Sequence, residues 1–354
     1  MPLETRTIVL LALCAAVLVG ACDDVDSKIQ PGPSELVTER ALVGNDLLLN
    51  SASLNGWSLN GFRTNGWSLN GWSLNGWSLN GWSLNNVSLS GSAFTGVASI
   101  DGEQVVLVGE DLIGTELALS HEGVPFTLRF DDIYINPADP DGDVYFYKVT
   151  VHDPDTDTWT SLCRDSYGEP IEAIALKHHW NPNTGARVDD PVAVTLACRG
   201  AALAKCVEWG YRPWATVESC DDGVCTQVNL TDHHQACTRM ARADYCGDGV
   251  PHTLNNTPID IYDRLKPKIQ TQSSSGKDWK VEAEWGPDGA QCLGKQLRVD
   301  MFAALNIAHT APPCRAALTA VKNCGQFLGN RPNSKLGNHY CAYWNTDPAK
   351  CALP

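Results

Sequence analysis

The sequence predicts a disulfide-rich α+β domain over residues 100–354, preceded by an export segment and a short repeat. Three observations support this fold class. Patterns typical of strands fill residues 105–196, patterns typical of helices follow from residue 200, and twelve cysteines lie beyond residue 160. A run of strands followed by a run of helices favours α+β over alternating α/β.

Residues 1–21 are predicted to be a signal peptide. Arg6 and the amino terminus give a weakly positive start, and residues 8–18 are apolar but too short to span a ~30 Å hydrocarbon core. The sequence Val19-Gly20-Ala21-Cys22 resembles the bacterial lipobox, which implies a lipid on Cys22. The alternative is ordinary cleavage after Ala21. We expect an exported lipoprotein anchored in the cell envelope, facing the periplasm or the cell surface, with the membrane as a partner.

The next segments are a tether and a repeat. Residues 22–42 are polar and acidic and are predicted to be a flexible tether. Residues 43–99 repeat the unit Asn-Gly-Trp-Ser-Leu every five residues, with Thr64 interrupting the leucine row. A period of five matches neither a helix nor a regular strand.

Two interpretations of the repeat remain open. It resembles the pentapeptide-repeat family, which implies a short four-sided β-solenoid, or it is a low-complexity spacer. Tryptophan faces can stack on sugar rings, so a glycan or an envelope protein is a candidate partner, although such rings commonly pack against protein. The candidate contact residues are Trp57, Trp67, Trp72, Trp77 and Trp82.

Hydrophobic patterning predicts the elements of the cysteine-rich domain. The predicted strands are residues 105–108, 116–119, 125–130, 144–151, 171–176 and 192–196. The predicted helices are residues 200–209, 232–245, 299–307 and 315–328.

An even number of cysteines in an exported chain predicts up to six disulfides, without fixing their pairing. The rival interpretation is a zinc site. Cys220 and Cys225 are the nearest pair, but four residues separate them and no second such pair exists. The predicted disulfide cysteines are Cys163, Cys198, Cys206, Cys220, Cys225, Cys237, Cys246, Cys292, Cys314, Cys324, Cys341 and Cys351.

Few residues suggest chemistry. The doublets at 178–179 and 233–234 lack the i, i+4 spacing of a helical zinc pair, so we expect no metal site. Residues 139–143 resemble the start of a calcium loop but lack its closing glutamate, and a solvated turn is expected instead. No P-loop, nucleophile elbow or dinucleotide fingerprint occurs, so no cofactor is expected.

The stretch at residues 237–249 contains Ala243-Asp244-Tyr245-Cys246 and resembles the ADYC domain. Residues 197–211 and 257–263 are similar to the same family. The resemblance implies an exported bacterial protein and brings no established activity. The residues themselves predict a structural role, because two cysteines bracket a helical segment, Asp244 is placed to bond locally and Tyr245 is placed to pack.

The functional expectation is therefore a non-catalytic binding or structural protein of the cell envelope. The alternative is an exported, hydrolase-like enzyme with a pocket around His233, His234 and Asp244. A formal charge of −15, from 26 basic and 41 acidic residues, excludes nucleic acid as an expected partner, because phosphate binding needs a concentrated basic face.

Overall fold

The computed structural model describes residues 48–49, 62–63, 72–79, 82–121, 124–154, 156–165, 167–253, 257–298, 324, 333–343 and 348–351. The predicted signal peptide, the tether with Cys22, Trp57, Trp67 and the predicted helices 299–307 and 315–328 lie outside these residues. For residues 48–49, 62–63, 72–79, 82–83, 120–121, 124–125 and 348 the description covers the backbone and leaves out the side chains.

Strands dominate the described residues, as these bounds show: β1 (Leu48–Leu49), β2 (Phe62–Arg63), β3 (Trp72–Leu79), β4 (Trp82–Ser90), β5 (Ala93–Ile100), β6 (Glu103–Val108), β7 (Glu116–His121), β8 (Val124–Ile135), β9 (Tyr145–Asp153), β10 (Thr158–Ser161), β11 (Ala173–Lys177), β12 (His179–Trp180), β13 (Arg187–Val188), β14 (Ala193–Cys198), β15 (Thr216–Asp221), β16 (Val224–Asn229), β17 (Pro258–Asp263), β18 (Trp279–Gly286), β19 (Gly289–Leu293) and β20 (Leu336–Cys341). The helices are α1 (Ala202–Glu208) and α2 (Thr231–Arg242), with 3₁₀ turns at Gly109–Leu112 and Pro348–Cys351.

The first half of the domain is one large antiparallel sheet. Its strand order is β2-β14-β11-β9-β8-β7-β3-β4-β5-β6, with β10 paired to β9. The sheet curves so that β4 contacts β11, and its inner face forms a single core. Phe94, Phe130 and Tyr147 meet at the centre of that core with ring centroids 5.3–5.5 Å apart. All six strands predicted from residues 105–196 fall within this sheet.

A β-bulge in β4 explains how a five-residue repeat fits a strand. Leu84 lies opposite Ala98 and Leu89 lies opposite Phe94, so five residues of β4 face four of β5. The extra residue falls in the span that includes Asn86, which has a φ of 52°. Bulges often place such a left-handed residue in one strand. Because the bulge absorbs one residue, a repeat of five residues spans the same length as four regular strand residues. Successive leucines therefore stay on the same face of the sheet.

The bulge determines which side chains of β4 are buried. Leu84 is 6% exposed and Val87, at the position that tryptophan occupies in other units, is 3% exposed. The intervening Asn85 and Asn86 are exposed. In β3 the pairing with β7 shifts in the same way, between Leu74 and Gly76. The described pentads therefore form long antiparallel strands, whereas the solenoid interpretation expected short sides of a coil.

The boundary expected between residues 99 and 100 falls inside this sheet. Strands β4 and β5 belong to the repeat by sequence, yet Leu84, Val87 and Phe94 pack in the same core as Leu117 and Tyr147. The last units of the repeat are thus part of the folded domain.

The second half of the chain carries a five-stranded sheet in the order β1-β17-β20-β18-β19. Helix α2 packs against β18, and the two helices pack against each other. Helices 200–209 and 232–245 were predicted near their observed positions. The expected order of strands first and helices second differs from the structure, because β15 to β20 follow α1. The overall class is α+β with a large excess of strand.

Disulfides crosslink both halves of the domain, which confirms the prediction of disulfides. Five pairs are Cys163–Cys198, Cys206–Cys237, Cys220–Cys225, Cys292–Cys324 and Cys341–Cys351. Cys246 is also disulfide-bonded. Disulfides of this number indicate an oxidising compartment outside the cytoplasm. Within the part of the chain that is described, no helix has the length and apolar character needed to cross a membrane.

Candidate functional site

The ADYC motif begins where α2 ends. Ala243 adopts the left-handed conformation, with a φ of 53°. Its amide donates to the carbonyl of Met240, and the amide of Asp244 donates to that of Arg239, which together form a Schellman cap. The cap turns the chain sharply and places Asp244 beneath the last turn of the helix. The helix thus ends at Arg242, three residues before the end of the predicted helix 232–245.

Asp244 is a buried hub for the loop that follows it. Its Oδ2 accepts from Arg239 Nη1 at 2.5 Å and from the amide of Gly249 at 3.0 Å. Its Oδ1 accepts from the amide of Asp248 at 3.1 Å. Burial raises the pKa of the Asp244 carboxyl, and the neighbouring Arg239 guanidinium opposes that shift. The predicted local bonding of Asp244 is therefore present.

Two arginines extend the hub to other segments. Arg239 donates to the carbonyls of Pro287 and Thr184, at 3.0 and 2.5 Å, and Arg242 donates to the carbonyl of Gly249 at 2.5 Å. The backbones meet so closely that a Cβ on Gly249 would overlap neighbouring carbonyl groups. This cluster ties together the 181–185 turn, the 247–249 loop and the β18–β19 turn.

Tyr245 belongs to a second buried network. Its hydroxyl donates to Glu282, and its ring stacks on Trp285 with centroids 5.2 Å apart. Glu282 also accepts from Arg298 Nε at 2.7 Å and from Asn338 Nδ2 at 2.6 Å. Asn338 in turn accepts from Trp285 Nε1 at 2.8 Å. Burial raises the pKa of Tyr245 well above its usual value, so the phenol stays protonated and serves as a donor.

The histidine doublet on α2 is buried too. Burial lowers the pKa of both His233 and His234 to about 4, so both imidazoles are neutral at pH 7. His234 Nε2 lies 3.1 Å from the carbonyl of Leu203, and His233 faces the ring of Tyr211. From His234 to its end at Arg242 the helix rises about 12 Å, at 1.5 Å per residue, and Asp244 follows that end. The structure does not bring the three predicted pocket residues together.

The first doublet is placed elsewhere. His178 Nδ1 accepts from the amide of Asp190 at 2.9 Å, and His179 lies in β12 with 8% of its surface exposed. Burial lowers the pKa of His178. Among the described residues, the one group whose atoms lie close enough to hold a metal is Glu218 with Cys220 and Cys225, and those two sulfurs form a disulfide.

The aspartate-rich loop at residues 139–143 is bound to an arginine. Arg212, 7% exposed, donates to Asp139 at 2.5 Å, to Asp141 at 2.7 Å and to Asp143 at 2.6 Å. Trp214 Nε1 also donates to Asp143, at 2.7 Å. The expected solvated turn is instead an anchored turn that connects the large sheet to the segment after α1.

A small open cavity of about 40 Å³ lies beside this turn, lined in part by Asp139, Trp209, Arg212 and Gln270. A cavity needs roughly 10–15 Å³ to hold one water, and small-molecule sites commonly measure about 300–1,000 Å³. The cavity therefore suits a few waters and is too small for a sugar. His233, His234 and Asp244 do not line it.

Sequence reasoning missed the partners that define these clusters. Arg239 carried a signal, because it stands five positions before Asp244 near the end of the predicted helix 232–245. Arg212 lies about seventy residues from the aspartates it binds, and Glu282 lies 37 residues from Tyr245. No local sequence pattern indicates either of these long-range pairs.

The family model of the ADYC domain matches residues 109–299, which is more than half of the chain. The match includes both helices, the aspartate-rich loop and, apart from Asn338, the two buried networks. Neither a curated protein nor a solved structure matches the chain.

Proposed function

We propose that this chain, which belongs to the ADYC domain family, is a non-catalytic binding or structural protein of the bacterial cell envelope. One observation carries the proposal. His233, His234 and Asp244 are at most 5% exposed and lie in the packed interior, with Asp244 bonded to Arg239. A general acid or base must reach the substrate proton directly or through one water. These buried groups instead stabilise the fold.

Lipid anchoring on Cys22 completes the proposal, since a lipobox-like sequence precedes a disulfide-bonded domain. Replacing Cys22 by Ser is expected to move the protein from the membrane fraction to the soluble fraction of the expressing bacterium. Cys14→Ser, within the predicted signal peptide, is the matched control and leaves the protein in the membrane. A membrane-bound C22S protein would contradict the lipid anchor.

The repeat is proposed to act as a spacer or contact surface. Trp72, Trp77 and Trp82 lie on strands that are integrated in the large sheet, and Val87 at the equivalent position of the next unit faces the core. Trp57 and Trp67 precede these strands in the sequence and are proposed as the residues that contact a glycan. Stacking on a sugar face is the chemistry that they offer.

The experiment is a peptidoglycan-fragment binding screen on the mature chain. Deleting residues 43–99 would remove β4 and β5 from the core, so point substitutions are preferable. Trp57→Ser combined with Trp67→Ser is expected to weaken binding at least tenfold, a loss of about 1.4 kcal/mol or more. Trp159→Ser, outside the repeat, is the control. Equal binding by the double variant would exclude the repeat as the contact surface.

The alternative function is an exported enzyme. It would need accessible catalytic groups that converge on a cavity of substrate size. The cavity beside the aspartate-rich turn is smaller than a typical small-molecule site, and the three residues that suggested an enzyme do not line it. The binding or structural role is therefore the better supported of the two.

A further inference from the structure

Strand β6 forms one end of the large sheet. Among the described residues it pairs with β5 alone. An end strand presents a row of backbone amides and carbonyls that can pair with another chain, and proteins commonly cover such edges or place charges along them. The outer edge of β6 therefore needs an explanation.

The turn before β6 fixes which backbone groups point outward. Asp101 and Gly102 have φ angles of 50° and 87°, which fits a two-residue hairpin turn closed by Ile100 and Glu103. In an antiparallel pair, hydrogen-bonded and non-hydrogen-bonded positions alternate from that closing pair. Positions 104, 106 and 108 of β6 therefore direct their backbone groups away from β5.

One contact supports this register. The amide of Val108 donates to Asp111 Oδ2 at 3.2 Å, outside the β5–β6 ladder. The outward amides of Gln104 and Val106 meet no strand within the described part of the chain. These two residues thus offer a short pairing edge.

Two of the three side chains that share this face are apolar, and the third is that of Gln104. Val106 is 65% exposed and Val108 is 41% exposed, whereas Leu107 packs against the core from the other face. Two exposed valines beside open backbone groups are suited to an extended segment with β-branched residues at alternate positions.

Acidic residues flank the edge at both ends. Asp101 and Glu103 stand at its start, and Glu110 and Asp111 follow its end, all four exposed. An antiparallel second copy of β6 would bring its own Glu103 toward this chain's Glu110, which like-charge repulsion disfavours. The charge instead complements a segment with basic residues on both sides of an apolar centre.

We propose that β6 binds, by strand addition, an extended peptide segment whose centre alternates β-branched residues and whose ends carry lysine or arginine. Backbone hydrogen bonds to residues 104 and 106 supply affinity, and the two valines with the acidic ends supply specificity. The site lies on a different strand from the tryptophans of the repeat, so it goes beyond the proposed function and is independent of glycan binding.

The test is a fluorescence anisotropy titration of the mature protein with a labelled peptide, Lys-Lys-Thr-Val-Thr-Val-Thr-Lys-Lys. Saturable binding is expected, and the same core with glutamate in place of lysine should bind at least tenfold more weakly. Val106→Pro removes an outward amide without removing a bond to β5, and it should weaken binding at least tenfold. Val106→Lys should do the same by repelling the basic peptide.

Val224→Lys is the matched control, because Val224 is 67% exposed but lies on the β15–β16 hairpin. It should bind the peptide like the wild type. If Val106→Pro does not fold, Val106→Lys decides the result, since it leaves the backbone unchanged. Undetectable binding, equal binding by both Val106 variants and the wild type, or a wild-type dimer that Val106→Lys dissociates would overturn the proposal.

Discussion

Replacing Asp244 by Asn removes the charge at the centre of the ADYC motif and keeps the shape of the side chain. Arg239, 3% exposed, then loses the carboxylate 2.5 Å away and is left as a buried cation. Removing one partner of a buried pair typically costs about 3–5 kcal/mol, because the other charge remains desolvated. The NH₂ group of Asn also faces a donor in either orientation: Arg239 and the amide of Gly249 in one, or the amide of Asp248 in the other. We expect a loss of about 4 kcal/mol in the free energy of unfolding.

Urea unfolding with the disulfides intact measures this loss as a lower midpoint at unchanged m value. Asp131→Asn is the matched control, because Asp131 pairs with Arg129 at 2.5 Å while both side chains are about a third exposed. Exposed pairs contribute about 0–1 kcal/mol. If D244N and D131N lost similar amounts of stability, the structural role assigned to Asp244 would be wrong.

Three further predictions follow from backbone strain and burial. Asn86→Gly should stabilise the protein by up to about 1 kcal/mol, whereas Asn86→Val should destabilise it by about 1–2 kcal/mol, because a β-branched residue tolerates a φ of 52° poorly. Urea midpoints that moved in the opposite directions would refute the assignment of the bulge. Burial lowers the pKa of His234 from 6.5 to about 4, so the unfolded chain binds a proton first and stability is lost as pH falls from 6.5 to 4. His234→Gln does not titrate, so the advantage of wild type over variant should shrink by about 3 kcal/mol from pH 7 to pH 4, and a constant difference would contradict the burial of a neutral imidazole. Gly249→Ala should cost more than about 2 kcal/mol and Gly168→Ala about 1, since both have φ above 80° but only Gly249 has a carbonyl where the Cβ would lie; equal thermal shifts would count against the close approach.

The sequence predicted the elements whose patterns are local. The six strands between residues 105 and 196 alternate or run apolar, and the helix that contains His233 and His234 has its own periodicity. Cysteine number and an exported context predicted the disulfides without their pairing. The motif Ala243-Asp244-Tyr245-Cys246 indicated the family of the chain.

The rest depended on contacts that no local pattern records. Strand β18 carries Glu282 and Glu284 as fully buried residues, so its alternation of charged and apolar side chains gave no sign of a buried strand. Arg298 and Arg264 neutralise these two carboxylates from other segments. Because of the bulge at Asn86, the side chains of β4 keep the even period of a strand although its sequence repeats every five residues. In each case a partner distant in sequence, or one extra residue in a strand, changed which face a side chain occupies.

Mass spectrometry of the bound ligand tests whether the protein binds or supports without catalysing. The mature protein is loaded with peptidoglycan fragments and washed, and the masses of the retained fragments are measured after their release. A non-catalytic protein retains fragments of the same masses as those supplied. Fragments shortened or modified by the wild type, and left intact by His234→Gln, would contradict the non-catalytic role and would establish an enzyme.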